Sequence, residues 1–342
     1  MSPADLAQRL LHHLRGELGE PGLAYAAAPA PISGGHDTRI FGFTLAGAPG
    51  DWARPLILRL LGPQHDPARA LRERAIQSAV SGLGYPAPRV FAASADLGVL
   101  GGAFLVMERL PGRPMIEERW FDLASVLVQA QLRLHALDAA PLLEAVDRVG
   151  GRDAVTFDGL LAQLRDRVDR HALDGLRGAM DWLLARRPAA PERPVICHGD
   201  FHPQNILMSG GAVTGVVDWP NAVVADAAYD VASTRVIVGL VPVGLSTMPA
   251  ALRGVIRLAR PLLLARHLRG YRRGRPLDPR ALRYYEAAAG MRQLVRVAER
   301  RLSAAARAAP LDPLDASSFG ERVAARFAGL AGVTPRLPPV TP

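Results

Sequence analysis

Residues 194–219 read PVICHGDFHPQNILMSGGAVTGVVDW, a stretch that no single helix or strand can hold. PVIC is a short apolar run of strand type. HGDFHPQN (198–205) is polar and interrupted by proline, and reads as a loop. ILM and AVTGVVDW are strand-like again, joined by Ser209-Gly210-Gly211, where glycine reaches the backbone angles of a tight hairpin. Closing that hairpin brings its open ends together, with Asn205 at one end and Asp218 near the other. Asp200 lies on the loop five residues before Asn205. Two carboxylates and one amide therefore converge.

An amide and a carboxylate at close quarters suit a hard cation. Mg²⁺ takes few protein ligands and completes its shell with water and phosphate oxygens. The remaining carboxylate is then free to accept a proton from a hydroxyl. Such a set suits phosphoryl transfer, where the protein mainly positions groups and stabilises charge.

The rest of the chain divides by periodicity. RIFGFTLAG (39–47) alternates, and RPLILRLLG (54–62) and GAFLVMERLPG (102–112) are further strands. The first hundred residues thus read as strand-like, with one helix among them. Asp66-Pro67 is its start signal, Leu71, Ala75, Ile76, Ala79, Val80 and Leu83 form its apolar face, and Gly84 ends it. Helical spacing dominates from about residue 120, over 121–138 and near 157–170, 175–187, 250–270 and 278–308. The expected class is α+β. Residues 1–110 form a small sheet-rich lobe and 111–333 a larger helical lobe that carries the loop and hairpin. The proline-rich 334–342 is expected to be a disordered tail.

Composition excludes several function classes. All 41 basic residues are arginine, the net charge is +9, and aromatics are few. Arginines scattered over helices without a recognition module argue against a nucleic-acid partner. The longest uncharged run, 236–252, is broken by Gly239, Pro242 and Gly244 and falls short of a bilayer span. It reads as buried helix and loop. One cysteine, Cys197, cannot form a disulfide within the chain, and no secretory leader is visible. A cytoplasmic location is the expectation.

HGDFHPQN followed by VVDW resembles the aminoglycoside phosphotransferase family, which shares the protein-kinase fold. The resemblance covers roughly Ile32 to the helices beyond Asp230 and implies a two-lobed phosphotransferase using ATP or GTP with Mg²⁺ and a small-molecule hydroxyl acceptor. It assigns Asp200 as the catalytic base, Asn205 and Asp218 as metal ligands, and His198 as support for the loop. Ser33, Gly34 and Gly35 stand where such a fold covers the phosphates. Arg59 occupies the place of a lysine that holds them, and Glu73 is its candidate partner. Met107, Glu108 and Leu110 resemble the hinge that receives the nucleotide base through the backbone. The family usually has lysine at the Arg59 position; arginine keeps the charge with a bulkier, planar head.

Blander readings fit the remaining polar residues. His135 and Cys197 read as packing residues, His202 as a packing or hydrogen-bonding residue, and Asp226 and Asp230 as helix caps. Two other functions fit parts of the pattern. A kinase-like module could bind nucleotide without turnover, and His198, Asp200 and His202 could bind zinc in a hydrolase. The second leaves the Asn205–Asp218 hairpin unexplained. The acceptor is expected to be neutral or anionic. Beyond Leu252 arginines outnumber acids severalfold, and the acids are Asp278, Glu286, Glu299, Asp312, Asp315 and Glu321.

Overall fold

The computed structural model describes residues 1–32, 38–63, 65–118, 123–240, 250–302 and 318–339. The chain begins with α1 (Pro3–Leu18), β1 (Ala24–Pro31), β2 (Thr38–Ala46), β3 (Leu56–Leu61), α2 (Ala68–Gly82), β4 (Val90–Ser94), α3 (Leu97–Leu100) and β5 (Phe104–Glu108). There follow β6 (Arg113–Pro114), α4 (Met115–Glu118), α5 (Leu123–His135), α6 (Ala140–Asp147), α7 (Phe157–Arg170) and α8 (Asp174–Ala185). Next come β7 (Val195–Cys197), β8 (Ile206–Ser209), β9 (Ala212–Val216), β10 (Val223–Ala225), α9 (Ala227–Leu240), α10 (Ala250–Gly274), α11 (Pro279–Leu302) and α12 (Phe319–Ala331). No helix among the described residues is long and apolar enough to cross a membrane.

Two compact units result. The first comprises residues 1–114, 140–151 and 206–220. Its centre is a five-stranded antiparallel sheet in the order β1-β2-β3-β5-β4. Helix α1, absent from the sequence reading, covers this sheet. Leu6, Leu10 and Leu14 recur every four residues and pack with Phe41, Phe43, Leu45 and Leu58. Ser2 and Asp5 form a reciprocal capping box at its start.

Helix α2 follows the expected start closely, since Asp66 Oδ1 accepts from the Ala68 N–H at 3.0 Å. Its buried face differs from the apolar one expected. Ala70, Glu73, Ile76, Gln77 and Val80 are buried, because Glu73 and Gln77 find polar partners inside.

Gly210 and Gly211 (φ 58° and 82°) turn β8 into β9, with Ser209 opposite Ala212. The sequence places this hairpin with the helical lobe; in the structure it groups with the sheet-rich unit. The Val216 N–H donates to Pro86 O at 2.7 Å, the Trp219 ring meets Tyr85 edge-on, and β6 extends the hairpin to three strands.

The second unit comprises residues 115–139, 152–205 and 221–342. Helices α7, α8, α9, α11 and α12 enclose a continuous core with Phe157, Tyr229, Tyr284, Tyr285 and Phe327 at its centre. A two-stranded ribbon, unrecognised in the sequence, pairs β7 with β10 through Val223↔Cys197 and Ala225↔Val195. Cys197 is a buried free thiol, and burial pushes its pKa up. Residues 334–339 are not a loose tail. The Arg336 N–H donates to Gly175 O at 2.9 Å, Arg301 reaches Pro338 O at 3.1 Å, and Leu337 packs on the core. One backbone anchor and one leucine suffice to fix a short terminal segment.

Candidate active site

In the helical unit the loop 198–205 leaves β7 through Gly199, whose φ is +73°. A Cβ there would lie 2.3 Å from Asn221 O, so only glycine fits. Both sides of this residue are gripped. Its N–H donates to Asp230 Oδ1 at 2.7 Å, and its carbonyl accepts from Arg292 Nη2 at 2.6 Å. His198 is fully buried, stacks edge-on with Phe201, and accepts the Asp200 N–H through Nδ1 at 3.3 Å.

Asp200 keeps 19% of its side chain exposed. Burial alone would raise its pKa. His202, Arg292 and His198 more than offset that and hold the carboxyl well below the usual carboxylate range. His202 Nδ1 accepts from the Gln204 N–H at 3.3 Å, and its Nε2 faces Asp200 Oδ2 at 3.8 Å. Arg292 Nη2 lies 3.8 Å from Asp200 Oδ1. Asn205 closes the loop. Its N–H donates to His202 O at 2.9 Å, and its Nδ2 donates to Asp200 O at 3.0 Å. With its Nδ2 spent on the loop, the chemically suitable group of Asn205 for a cation is its amide oxygen.

Asp230 is not a helix cap. It is fully buried, and its Oδ2 accepts from Gln131 Nε2 at 2.9 Å and His135 Nε2 at 3.1 Å. Burial raises its pKa, but the hydrogen bonds and charge of His135, with Gln131, hold it low. His135 Nδ1 in turn bonds the Tyr271 hydroxyl, and His267 Nε2 bonds Gln131 Oε1 at 2.9 Å. Thr234 Oγ1 donates to Phe201 O at 2.8 Å. This carboxylate therefore anchors the loop from below. Asp226 does behave as expected, accepting the Ala228 N–H at 2.8 Å.

In the sheet-rich unit Arg59 projects from β3. Its Nη1 bonds Glu73 Oε1 and its Nη2 bonds Asp218 Oδ1 at 2.9 Å. The Glu73 pairing was expected and the Asp218 pairing was not. Glu73 is 1% exposed; burial raises its pKa against the opposing pull of Arg59. Asp218 holds φ +71°, a left-handed conformation uncommon outside glycine but tolerated by aspartate. Its carboxylate is 40% exposed and directed by that backbone. Donor type and exposure fit a Mg²⁺ ligand.

Met107 and Glu108 end β5. The Glu108 carboxylate accepts the Arg89 N–H at 2.9 Å and its own N–H donates to Arg89 O at 3.0 Å. The Leu110 N–H has no hydrogen-bond partner among the described residues. Ser33, Gly34 and Gly35 lie outside the described residues. Among the described residues no three His, Cys, Asp or Glu side chains gather as a metal site would require, which speaks against zinc at His198, Asp200 and His202.

Arg292 and the loop-anchoring role of Asp230 escaped the sequence reading. Arg292 had no signal, being one of 41 arginines. Asp230 had one: it is a carboxylate amid the apolar residues of AAYDVASTRVIVGL, with no lysine or arginine before Arg235.

Residues 29–277, most of the chain, match the sequence profile of the phosphotransferase enzyme family. The chain belongs to that family. Among curated relatives, an aminoglycoside 3'-phosphotransferase of Streptomyces fradiae is 33% identical over 161 residues, which is 44% of this chain. The chain spans little more than half of that relative's length, 57%. Among solved structures, a putative aminoglycoside phosphotransferase from Ralstonia eutropha superposes with a TM-score of 0.62 at 18% identity, covering 96% of this chain and 99% of that one. A thermostable mutant of an aminoglycoside phosphotransferase in ternary complex with ADP and hygromycin B gives 0.54 at 18% identity, with 95% and 98% covered. At these identities the structures establish the fold: the phosphotransferase family member is α+β and kinase-like, with an antiparallel sheet-rich N-terminal region and a helical C-terminal region.

Proposed function

We propose that the chain transfers the γ-phosphoryl group of ATP, or of GTP, to a hydroxyl of a neutral or anionic small molecule. The observation that carries this reading is the environment of Asp200. It is a partly exposed carboxylate, kept ionised by His202, Arg292 and His198, on a loop whose backbone is fixed on both sides.

In this reaction Asp200 accepts a hydrogen bond from the acceptor hydroxyl and orients its oxygen toward the γ-phosphorus. As the new O–P bond forms and the bond from the γ-phosphorus to the bridging oxygen breaks, Asp200 takes the hydroxyl proton and the nucleoside diphosphate leaves. A carboxylate held far below its usual pKa is a weak base, so the proton moves late, after the oxygen has become acidic through bonding to phosphorus. Asn205 and Asp218 would hold Mg²⁺, which supplies charge neutralisation to the phosphates. Arg59, oriented by Glu73, adds a second positive charge. Leu110 offers a backbone N–H to the nucleotide base, beside Glu108 and Met107. The helical unit supplies the acceptor site.

The ADP and hygromycin B complex of the structural neighbour supports a nucleotide co-substrate, as does the family itself. The acceptor preference rests on this chain's own charges. Glu286 is buried between Arg235 and Arg326, Glu299 is paired with Arg167, Glu321 with Arg301, and Asp278 accepts the Arg280 N–H as a helix cap. Asp312 and Asp315 lie outside the described residues. A nucleotide-consumption screen over a hydroxyl-bearing library, with Asp200→Asn as blank, tests the reading. Consumption that persists in the blank, or appears with no acceptor at all, would refute it.

A further inference from the structure

We propose that Arg292, on α11, is a positioning residue for the phosphoryl transfer: it clamps the Gly199 carbonyl and presents its charge to the carboxylate of Asp200. This deepens the phosphotransferase reading and rests on it.

The guanidinium is almost enclosed, with 11% of the side chain exposed. It makes three interactions. Nη2 donates to Gly199 O at 2.6 Å, Nη1 donates to the Tyr229 hydroxyl at 3.2 Å, and Nη2 stands 3.8 Å from Asp200 Oδ1. A buried guanidinium is costly unless paired. Here most of its bonding is spent on a carbonyl and a phenol, and the only carboxylate within ion-pair distance is that of Asp200 among the described residues. A residue kept merely to fill the core could be leucine or methionine. An arginine aimed at the peptide before Asp200 has a directional task.

That task follows from the loop's connectivity. Asp230 of α9 holds the N–H of Gly199, and Arg292 of α11 holds its carbonyl. Two charged side chains of opposite sign, from two helices, thus fix both hydrogen-bonding groups of the one residue that precedes Asp200. The left-handed backbone at Gly199 cannot swing without breaking one of these bonds. Loss of Arg292 frees the carbonyl side of the clamp and removes the charge opposite Asp200 Oδ1. A shift of about 1 Å in a reacting group can lower a rate by about 10²-fold. The partners of Arg292 among the described residues are Gly199, Tyr229 and Asp200, so a loss through the clamp is expected to leave nucleotide KM nearly unchanged.

The test compares Arg292→Ala and Arg292→Lys with the wild-type chain. Steady-state kinetics are run with an acceptor that the consumption screen identifies, and hydrogen–deuterium exchange is followed over residues 198–205. The expected result is a fall in kcat of about 10²-fold for alanine with nucleotide KM within about threefold, and recovery of about tenfold of that loss by lysine, which restores the charge. Unchanged kcat in the alanine variant overturns the proposal. So does a loss that lysine fails to improve, or one that tracks a rise in nucleotide KM. If the wild type consumes no nucleotide with any acceptor, the phosphotransferase reading fails, and exchange alone decides the clamp. Exchange about tenfold faster over 198–205 in the alanine variant, with the sheet-rich unit unaffected, upholds the clamp; unchanged exchange refutes it.

Discussion

Arg59 holds Glu73 and Asp218 at once, and a planar fork can do this where a single ammonium cannot. Removing it leaves Glu73 buried with no cation at Nη1's place. Arg59→Ala should therefore destabilise the chain by about 3–5 kcal/mol and raise the nucleotide KM strongly. Arg59→Lys should stay active, because one charge remains at the place proposed to face the phosphates. Pairing Arg59→Ala with Glu73→Gln separates the two effects. The double variant should regain most of the stability, read by chemical denaturation, and none of the nucleotide affinity. If affinity returns with stability, Arg59 has no role at the phosphates. For Asp200, substitution by asparagine should lower kcat by about 10²–10⁴-fold and leave nucleotide affinity nearly intact. Near-wild-type turnover with the true acceptor would refute its role as base. The sequence singles out Asp200, Asn205 and His198 as candidates because loop, hairpin and residue type agree within a few positions, and the Arg59–Glu73 pair it suggests is present in the structure. It hid Arg292, since one arginine among many carries no local mark. It also hid the Arg59–Asp218 contact, which joins residues 159 positions apart.

Helix α9 shows why burial of a charge can be read only through its partners. Asp230 sits in a nearly apolar helix, yet its carboxylate receives the Gly199 N–H, Gln131 and His135. In Asp230→Asn the new amide would point a donor at two donors. A loss of about 1–3 kcal/mol is expected, with faster exchange in the loop it anchors. Burial raises this group and its hydrogen bonds more than compensate, so its folded pKa is depressed. A depressed carboxylate gives its full stabilisation above the ordinary value of about 3.9 and loses it as pH falls through its own lower pKa. The stability gap between wild type and Asp230→Asn should be flat above about pH 5 and close below pH 4. A gap that widens on acidification would show that the carboxylate is protonated in the fold. Periodicity recovered most of the longer helices and β2, β3 and β5, because each buries one regular face. It missed α1, whose leucines are interrupted by polar and charged residues and form no long apolar run, and β10, whose three residues are too short for any period. It misplaced the inward face of α2, because a buried Glu73 counts as polar until Arg59 is seen beside it.

Over the whole chain the charge balance decides what can approach. The net charge is +9, carried entirely by arginine on the positive side. A polycationic acceptor needs unpaired carboxylates to receive its ammonium groups. In the C-terminal helices Glu286, Glu299 and Glu321 are already matched by arginines, and Asp278 is spent on a helix start. Arg292 adds a fixed positive charge next to the Asp200 carboxylate. Such a field repels cations and draws anions toward the site, and salt screens it over about 10 Å at 0.1 M. Acceptors of graded charge should therefore rank with anionic and neutral alcohols above tri- and tetracationic aminoglycosides in kcat/KM. Raising the ionic strength should lower kcat/KM for an anionic acceptor and leave a neutral one nearly constant, which distinguishes field effects from shape. The curated relative and the hygromycin B complex make the opposite outcome a concrete alternative. Phosphorylation of a tetracationic aminoglycoside at a kcat/KM of about 10⁴ M⁻¹s⁻¹ or more would place enough free carboxylate at the site to outweigh the arginines, and would overturn the charge argument.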